Sequence, residues 1–185
     1  MAQIAGLRRN FNLPNFLTVL RIFLVPIIVG ILLVEFNGRV FWALALFLLA
    51  SLTDFVDGYL ARRKNQVTPL GILLDPIADK LLISSSFISL VALRLVPAWA
   101  VILLVGRELG ITGLRAIAAG EGILIPASSL GKKKMFLEVL SIVLLILSLR
   151  YPELKHPGVF CLYFAIILSL YSAGEYIIKF VKLSS

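Results

Sequence analysis

Apolar residues in this chain come in long unbroken runs, with polar residues kept to the run ends and to one interior block. Six runs can be marked: Phe16 to Val34, Val40 to Ala61, Leu70 to Leu93, Pro97 to Ala118, Met135 to Leu149 and Gly158 to Phe180. Crossing the hydrocarbon of a bilayer takes ~20 apolar residues in a helix. Backbone N–H and C=O groups must be bonded internally there, because water is absent. The pattern therefore predicts an all-α integral membrane protein with six transmembrane helices. Asn12-Leu13-Pro14 suits a helix start, since Pro14 in an opening turn gives up an N–H that has no acceptor. Asn37-Gly38, Val96-Pro97, and Tyr151-Pro152 with Pro157-Gly158 read as the outer turns. Met1 to Asn12, carrying Arg8 and Arg9, reads as a short interfacial helix rather than a removable signal.

The second run breaks the simple picture in an informative way. Val40 to Leu52 is too short to span alone and reaches bilayer length only by continuing through Asp54 and Asp57 to Ala61. The third run mirrors it, with Asp75 and Asp79 early and the apolar stretch Leu81 to Leu93 afterwards. These four are the only aspartates in the chain, and they fall within 26 residues. A charged carboxylate at the centre of a membrane helix costs about 2.5–3.5 kcal/mol on insertion scales, so four together imply compensating cations. Asp54 and Asp57 are three apart and Asp75 and Asp79 four apart, so each pair lies on one face of its helix. Two facing pairs of hard oxygen ligands suit Mg²⁺ or Mn²⁺.

Composition bounds the rest. With 185 residues and 60% hydrophobic content, six spans use nearly the whole length, which leaves one membrane domain over residues 1–185. The single cysteine, Cys161, excludes an intramolecular disulfide and reads as a small buried residue. A formal charge of +8 raises the question of nucleic acid, but the basic residues flank apolar runs instead of gathering on a soluble face. One side collects Arg8, Arg9, Arg62, Arg63, Lys64, Lys132, Lys133, Lys134, Lys179 and Lys182; the other receives Arg39, Arg94, Arg150 and Lys155. That bias predicts both termini and the acidic block on the cytoplasmic side of the membrane, with lipid, not nucleic acid, as the surrounding partner.

The block itself reads Asp54-x2-Asp57-Gly58-x2-Ala61-Arg62-x8-Gly71-x3-Asp75-x3-Asp79. Gly58 and Gly71 carry no side chain and let a ligand approach the backbone. Arg62 offers a planar fork of donors to phosphate oxygens. Metal, arginine and glycine clearance together describe a diphosphate site. This pattern resembles the signature of the CDP-alcohol phosphotransferases, membrane enzymes that move a phosphatidyl or similar group from a CDP-linked donor to an alcohol. Every fixed position of that signature is met, and the six-span plan agrees with it. Three further stretches resemble phosphatidylglycerophosphate synthases within the family: Asn12 to Arg21, Arg107-Glu108-Leu109-Gly110-Ile111-Thr112-Gly113-Leu114-Arg115, and Gly131-Lys132-Lys133-Lys134. One position departs: Met135 stands where a threonine often follows the Gly-Lys-x-Lys element.

The resemblance implies a reaction in which CDP-diacylglycerol and glycerol 3-phosphate give phosphatidylglycerophosphate and CMP, with two Mg²⁺ or Mn²⁺ ions and a homodimer. It assigns Asp54, Asp57 and Asp75 as metal ligands and Asp79 as both ligand and general base. Gly58, Arg62 and Gly71 fall to the donor, along with the polar stripe Asn15, Thr18 and Arg21, whose plainer reading is helix packing. Arg107, Arg115, Lys132 and Lys134 fall to the acceptor phosphate. Their plainer readings are a snorkelling end residue for Arg115, an ion pair with Glu108 or a neighbouring acid for Arg107, and a positive-inside anchor for the lysines. Lys80 reads as local charge balance and His156 as a solvated loop residue, while Glu138 and Glu175 receive no role. Two rivals remain at this point: a sibling enzyme acting on serine, inositol phosphate or phosphatidylglycerol, and a divalent-cation transporter. The second demands polar residues along a path to the far side, and Phe41 to Leu52 and Leu81 to Leu93 hold only a few serines and no acid.

Overall fold

The computed structural model describes residues 13–63, 69–120 and 129–184, and among them there is helix but no strand. Six α-helices follow in order: α1 (Leu13–Leu33), α2 (Arg39–Arg63), α3 (Pro69–Ala92), α4 (Ala98–Gly120), α5 (Ser129–Leu147) and α6 (Lys155–Ser184). A 3₁₀ turn, Pro152–Leu154, precedes α6. The interfacial helix expected over Met1 to Asn12 lies outside the described residues. α2 does run unbroken through Asp54 and Asp57, and α3 through Asp75 and Asp79, as the run lengths require.

Two boundaries differ from the sequence reading. α5 begins at Ser129 instead of Met135, because Lys132 to Lys134 are good helix formers and extend the helix into the basic segment. Pro157-Gly158 does not form an outer turn, and His156 is not in a loop: all three lie in the opening turns of α6. A proline so near a helix start surrenders only an N–H that had no intrahelical acceptor. His156 is nevertheless exposed.

The chain divides into two compact units, Met1–Ser89 and Leu90–Ser185. In the first, Val25, Ile28 and Leu32 of α1 are buried, as are Ala43, Phe47 and Ala50 of α2 and Ala78, Leu82 and Phe87 of α3. The buried serines of α3 cost little, since Ser86 Oγ donates to the Leu82 carbonyl at 2.7 Å and Ser89 Oγ to that of Ser85 at 2.8 Å.

In the second unit, α6 packs along α5 and also meets α4. Gly158 is what allows the closest approach. A Cβ there would lie 2.9 Å from Leu145 Cγ, and Ser141 Oγ donates to the Gly158 carbonyl at 2.8 Å. The link from α3 to α4 closes with Arg94 in the left-handed region at φ 57°, a place usually filled by glycine. The Leu95 N–H bonds back to Leu90 O at 3.0 Å and so finishes the helix.

Two helical stretches among the described residues are long and apolar enough to cross a membrane: Asn15–Leu33, with mean hydropathy 2.7, and Pro152–Lys182, with 1.6. Large apolar side chains also stand exposed on the other four helices, such as Trp42 and Leu52 on α2, Ile88 on α3, Ile102 and Ile117 on α4, and Phe136 on α5. Water does not favour that surface, whereas hydrocarbon does.

Candidate active site

The first unit brings one end of α1 against the acidic part of α3. Asn15, Thr18 and Arg21 recur at three-residue steps, so α1 presents them on one face, and all three are buried, Arg21 to 1% exposure. None of them is left without a partner. Thr18 Oγ1 donates to Asp75 Oδ1 at 2.5 Å, a charge-assisted bond across 57 residues of sequence. It orients one carboxylate oxygen. Asp79 stands one turn further along α3, and both acids are half-buried. Pro76 sits directly after Asp75 and has no N–H, so the carbonyl four residues earlier lacks its helical bond.

Asp54, Asp57, Gly58 and Arg62 occupy the final turns of α2, and Gly71 the start of α3. Their side chains lie outside the described residues. Among those described, no three acidic, histidine or cysteine side chains gather as a metal site. The two described members of the acidic block still fit a hard divalent ion: they are carboxylates on one helical face, and Asp75 is already aligned by Thr18.

The second unit gathers a different chemistry. Arg107 and Glu108 come from the middle of α4, and Lys134 and Glu138 from α5. Arg107 Nη1 bonds Glu108 Oε1 at 2.6 Å, and the same oxygen accepts from Lys134 Nζ. Lys134 also pairs with Glu138 at 3.3 Å, one turn along α5. From the opposite side, Arg107 Nε donates to the Ser169 carbonyl of α6 at 2.8 Å. Lys134 is 5% exposed and Glu138 4%, so this lysine is no solvated anchor. Charges so deep persist only when paired, which accounts for two acids beside two bases. Arg115, two turns beyond Arg107, is exposed and lies over the Tyr176 ring with its guanidinium carbon 5.3 Å from the ring centre. The Lys132 side chain lies outside the described residues, and Lys133 is exposed.

Sequence reasoning thus gave Arg107 and Lys134 as cations and Glu108 as an ion-pair partner of Arg107, a pair the structure contains, but not the other groups that hold them. Glu138 had no role, and Ser169 and Tyr176 were not considered. The spacing of Lys134 and Glu138, four apart on one helix, carried a signal for one of those contacts. The contacts with α6 had none.

The sequence profile of the CDP-alcohol phosphatidyltransferase family matches residues 11–171. A CDP-diacylglycerol–glycerol-3-phosphate 3-phosphatidyltransferase of Bacillus subtilis is 40% identical over 183 residues, covering 91% of this chain and 95% of that protein. One of the same name from Rickettsia bellii is 37% identical over 169 residues, covering 89% and 93%. A protein of Mycobacterium tuberculosis described as a probable phosphatidylglycerophosphate synthase is 40% identical over 188 residues, covering 97% and 87%.

Proposed function

The chain belongs to the CDP-alcohol phosphatidyltransferase family, and from that premise we propose that it transfers the phosphatidyl group of CDP-diacylglycerol to glycerol 3-phosphate. The observation that carries this reading is likeness over about nine-tenths of the chain to proteins named for those two substrates. The half-buried Arg107 and the buried Lys134 support it, since a phosphomonoester acceptor needs fixed cations and an uncharged one does not.

The acceptor hydroxyl oxygen attacks the lipid-side phosphorus of the diphosphate. A new P–O bond forms, the bond to the CMP phosphate oxygen breaks, and the hydroxyl proton passes to the Asp79 carboxylate. Asp79 acts as general base because it lies a turn past Asp75 on the same face of α3, close to the donor. Asp54, Asp57, Asp75 and Asp79 would hold two divalent ions, Mg²⁺ or Mn²⁺, which when bound neutralise the diphosphate and the departing CMP. Arg62 binds diphosphate oxygens, and Gly58 and Gly71 leave room for the nucleotide. Asn15 and Arg21, on the face of α1 that carries Thr18, serve the donor from that side. Arg107, Arg115, Lys132 and Lys134 take the acceptor phosphate. The protein works as a six-span membrane homodimer, with this chemistry and both termini on the cytoplasmic side.

The test is CMP release from CDP-diacylglycerol across glycerol 3-phosphate, serine, inositol phosphate and phosphatidylglycerol. Glycerol 3-phosphate is expected to be preferred, with phosphatidylglycerophosphate as product. Preference for an uncharged acceptor replaces this assignment with a sibling activity. Chelation of divalent ions is expected to abolish turnover, with recovery on adding Mg²⁺ or Mn²⁺, and full turnover in chelator removes the metals from the site.

A further inference from the structure

Two cations that share one phosphate must be held side by side, although like charges repel. In the second unit one oxygen does this. Glu108 Oε1 accepts from Arg107 Nη1 at 2.6 Å and from Lys134 Nζ as well, joining α4 to α5. Each cation is also fixed from behind, Arg107 through Nε to the Ser169 carbonyl of α6 at 2.8 Å, and Lys134 by Glu138 at 3.3 Å. A guanidinium has five N–H donors and an ammonium three. The contacts described commit Nε and Nη1 of Arg107, so its Nη2 edge remains for a ligand, as does the third donor of Lys134. The two carboxylates balance the two cations, which lets the cluster stay buried before substrate arrives.

We propose that Glu108 is a positioning residue of the acceptor subsite, its one oxygen clamping Arg107 and Lys134 so that a phosphomonoester dianion meets both cations at once. The proposal rests on the acceptor assigned above. A purely structural ion network has the same geometry but a different consequence: its loss lowers the yield of folded protein without a selective change in acceptor use.

The experiment uses the full-length protein in lipid–detergent micelles and reads CMP release with each substrate titrated against saturating amounts of the other. Glu108→Gln is expected to raise the glycerol 3-phosphate KM by about tenfold or more, while the CDP-diacylglycerol KM and kcat change by less than about threefold. Glu108→Asp, which keeps the charge one methylene back, recovers part of the loss. Combined with Lys134→Met, Glu108→Gln adds little further loss, because the clamp no longer has that cation to hold. A wild-type acceptor KM in Glu108→Gln, or equal loss toward both substrates, overturns the proposal. If Glu108→Gln does not fold, the two KM values of Glu108→Asp decide, and equal values to wild type overturn it. Wild-type protein that releases no CMP with glycerol 3-phosphate overturns the acceptor assignment and the clamp together. Normal wild-type activity beside an unaffected variant overturns the clamp alone.

Discussion

A carboxylate in this chain takes its role from what is bonded to it. Asp75 accepts a hydrogen bond from a buried threonine, which fixes one of its oxygens in place. Asp79→Asn is expected to keep CDP-diacylglycerol binding and to lower kcat by about 10²–10⁴, the range for loss of a general base, read by donor binding beside turnover. Thr18→Val removes the bond to Asp75 and leaves the half-buried acid short of one donor. The expected result is a loss of stability of about 1–3 kcal/mol by thermal unfolding, with reduced affinity for activating metal. For the acceptor, Arg115→Ala should raise the glycerol 3-phosphate KM by about ten- to a hundredfold and leave the donor KM unchanged. Lysine at that place restores it only in part, since it lacks the fork that binds phosphate in two bonds and stacks less well on Tyr176. Asp75, Asp79 and Arg115 were visible in the sequence because a charge in an apolar run stands out. Glu108 and Glu138 stand out as well, yet their meaning depends on Lys134, which is 26 residues from Glu108 and reached only through packing.

Helices were the most legible level. Hydrophobic runs fixed α1 to α4 to within about three residues, because apolar length and turn residues both mark where a helix stops. The early start of α5 was hidden, since Gly131-Lys132-Lys133-Lys134 looks like a loop when judged by hydropathy, although lysine favours helix. The start of α6 was hidden by Pro157-Gly158, a pair that signals a turn except in the first helical turn. Gly158 has a packing reason that no local rule supplies: it admits Leu145 of α5. Gly158→Val is expected to destabilise the second unit by about 1–3 kcal/mol through overpacking. Leu145→Ala in the same chain should recover part of that loss, and thermal unfolding of the two variants against wild type measures both effects.

At the scale of the whole molecule, the six-span topology proposed above predicts that Asn37 and Asn65 stand on opposite sides of the membrane. Cysteine placed at each, in a chain whose Cys161 has been replaced by alanine, is expected to react with an impermeant reagent from opposite faces of intact cells. Labelling of both from one face means the topology is wrong. The sequence carried the membrane class and the acidic signature, but not the partition of charge between two packed units, which arises from contacts between helices distant in the chain. The bond between Thr18 and Asp75 also has a meaning in time. Thr18 leaves the ribosome 57 residues before Asp75, so α1 is already made when the carboxylate of α3 is synthesised. The hydroxyl donor is thus in the chain before its acceptor is made, and the order of synthesis supplies the partner ahead of the acid.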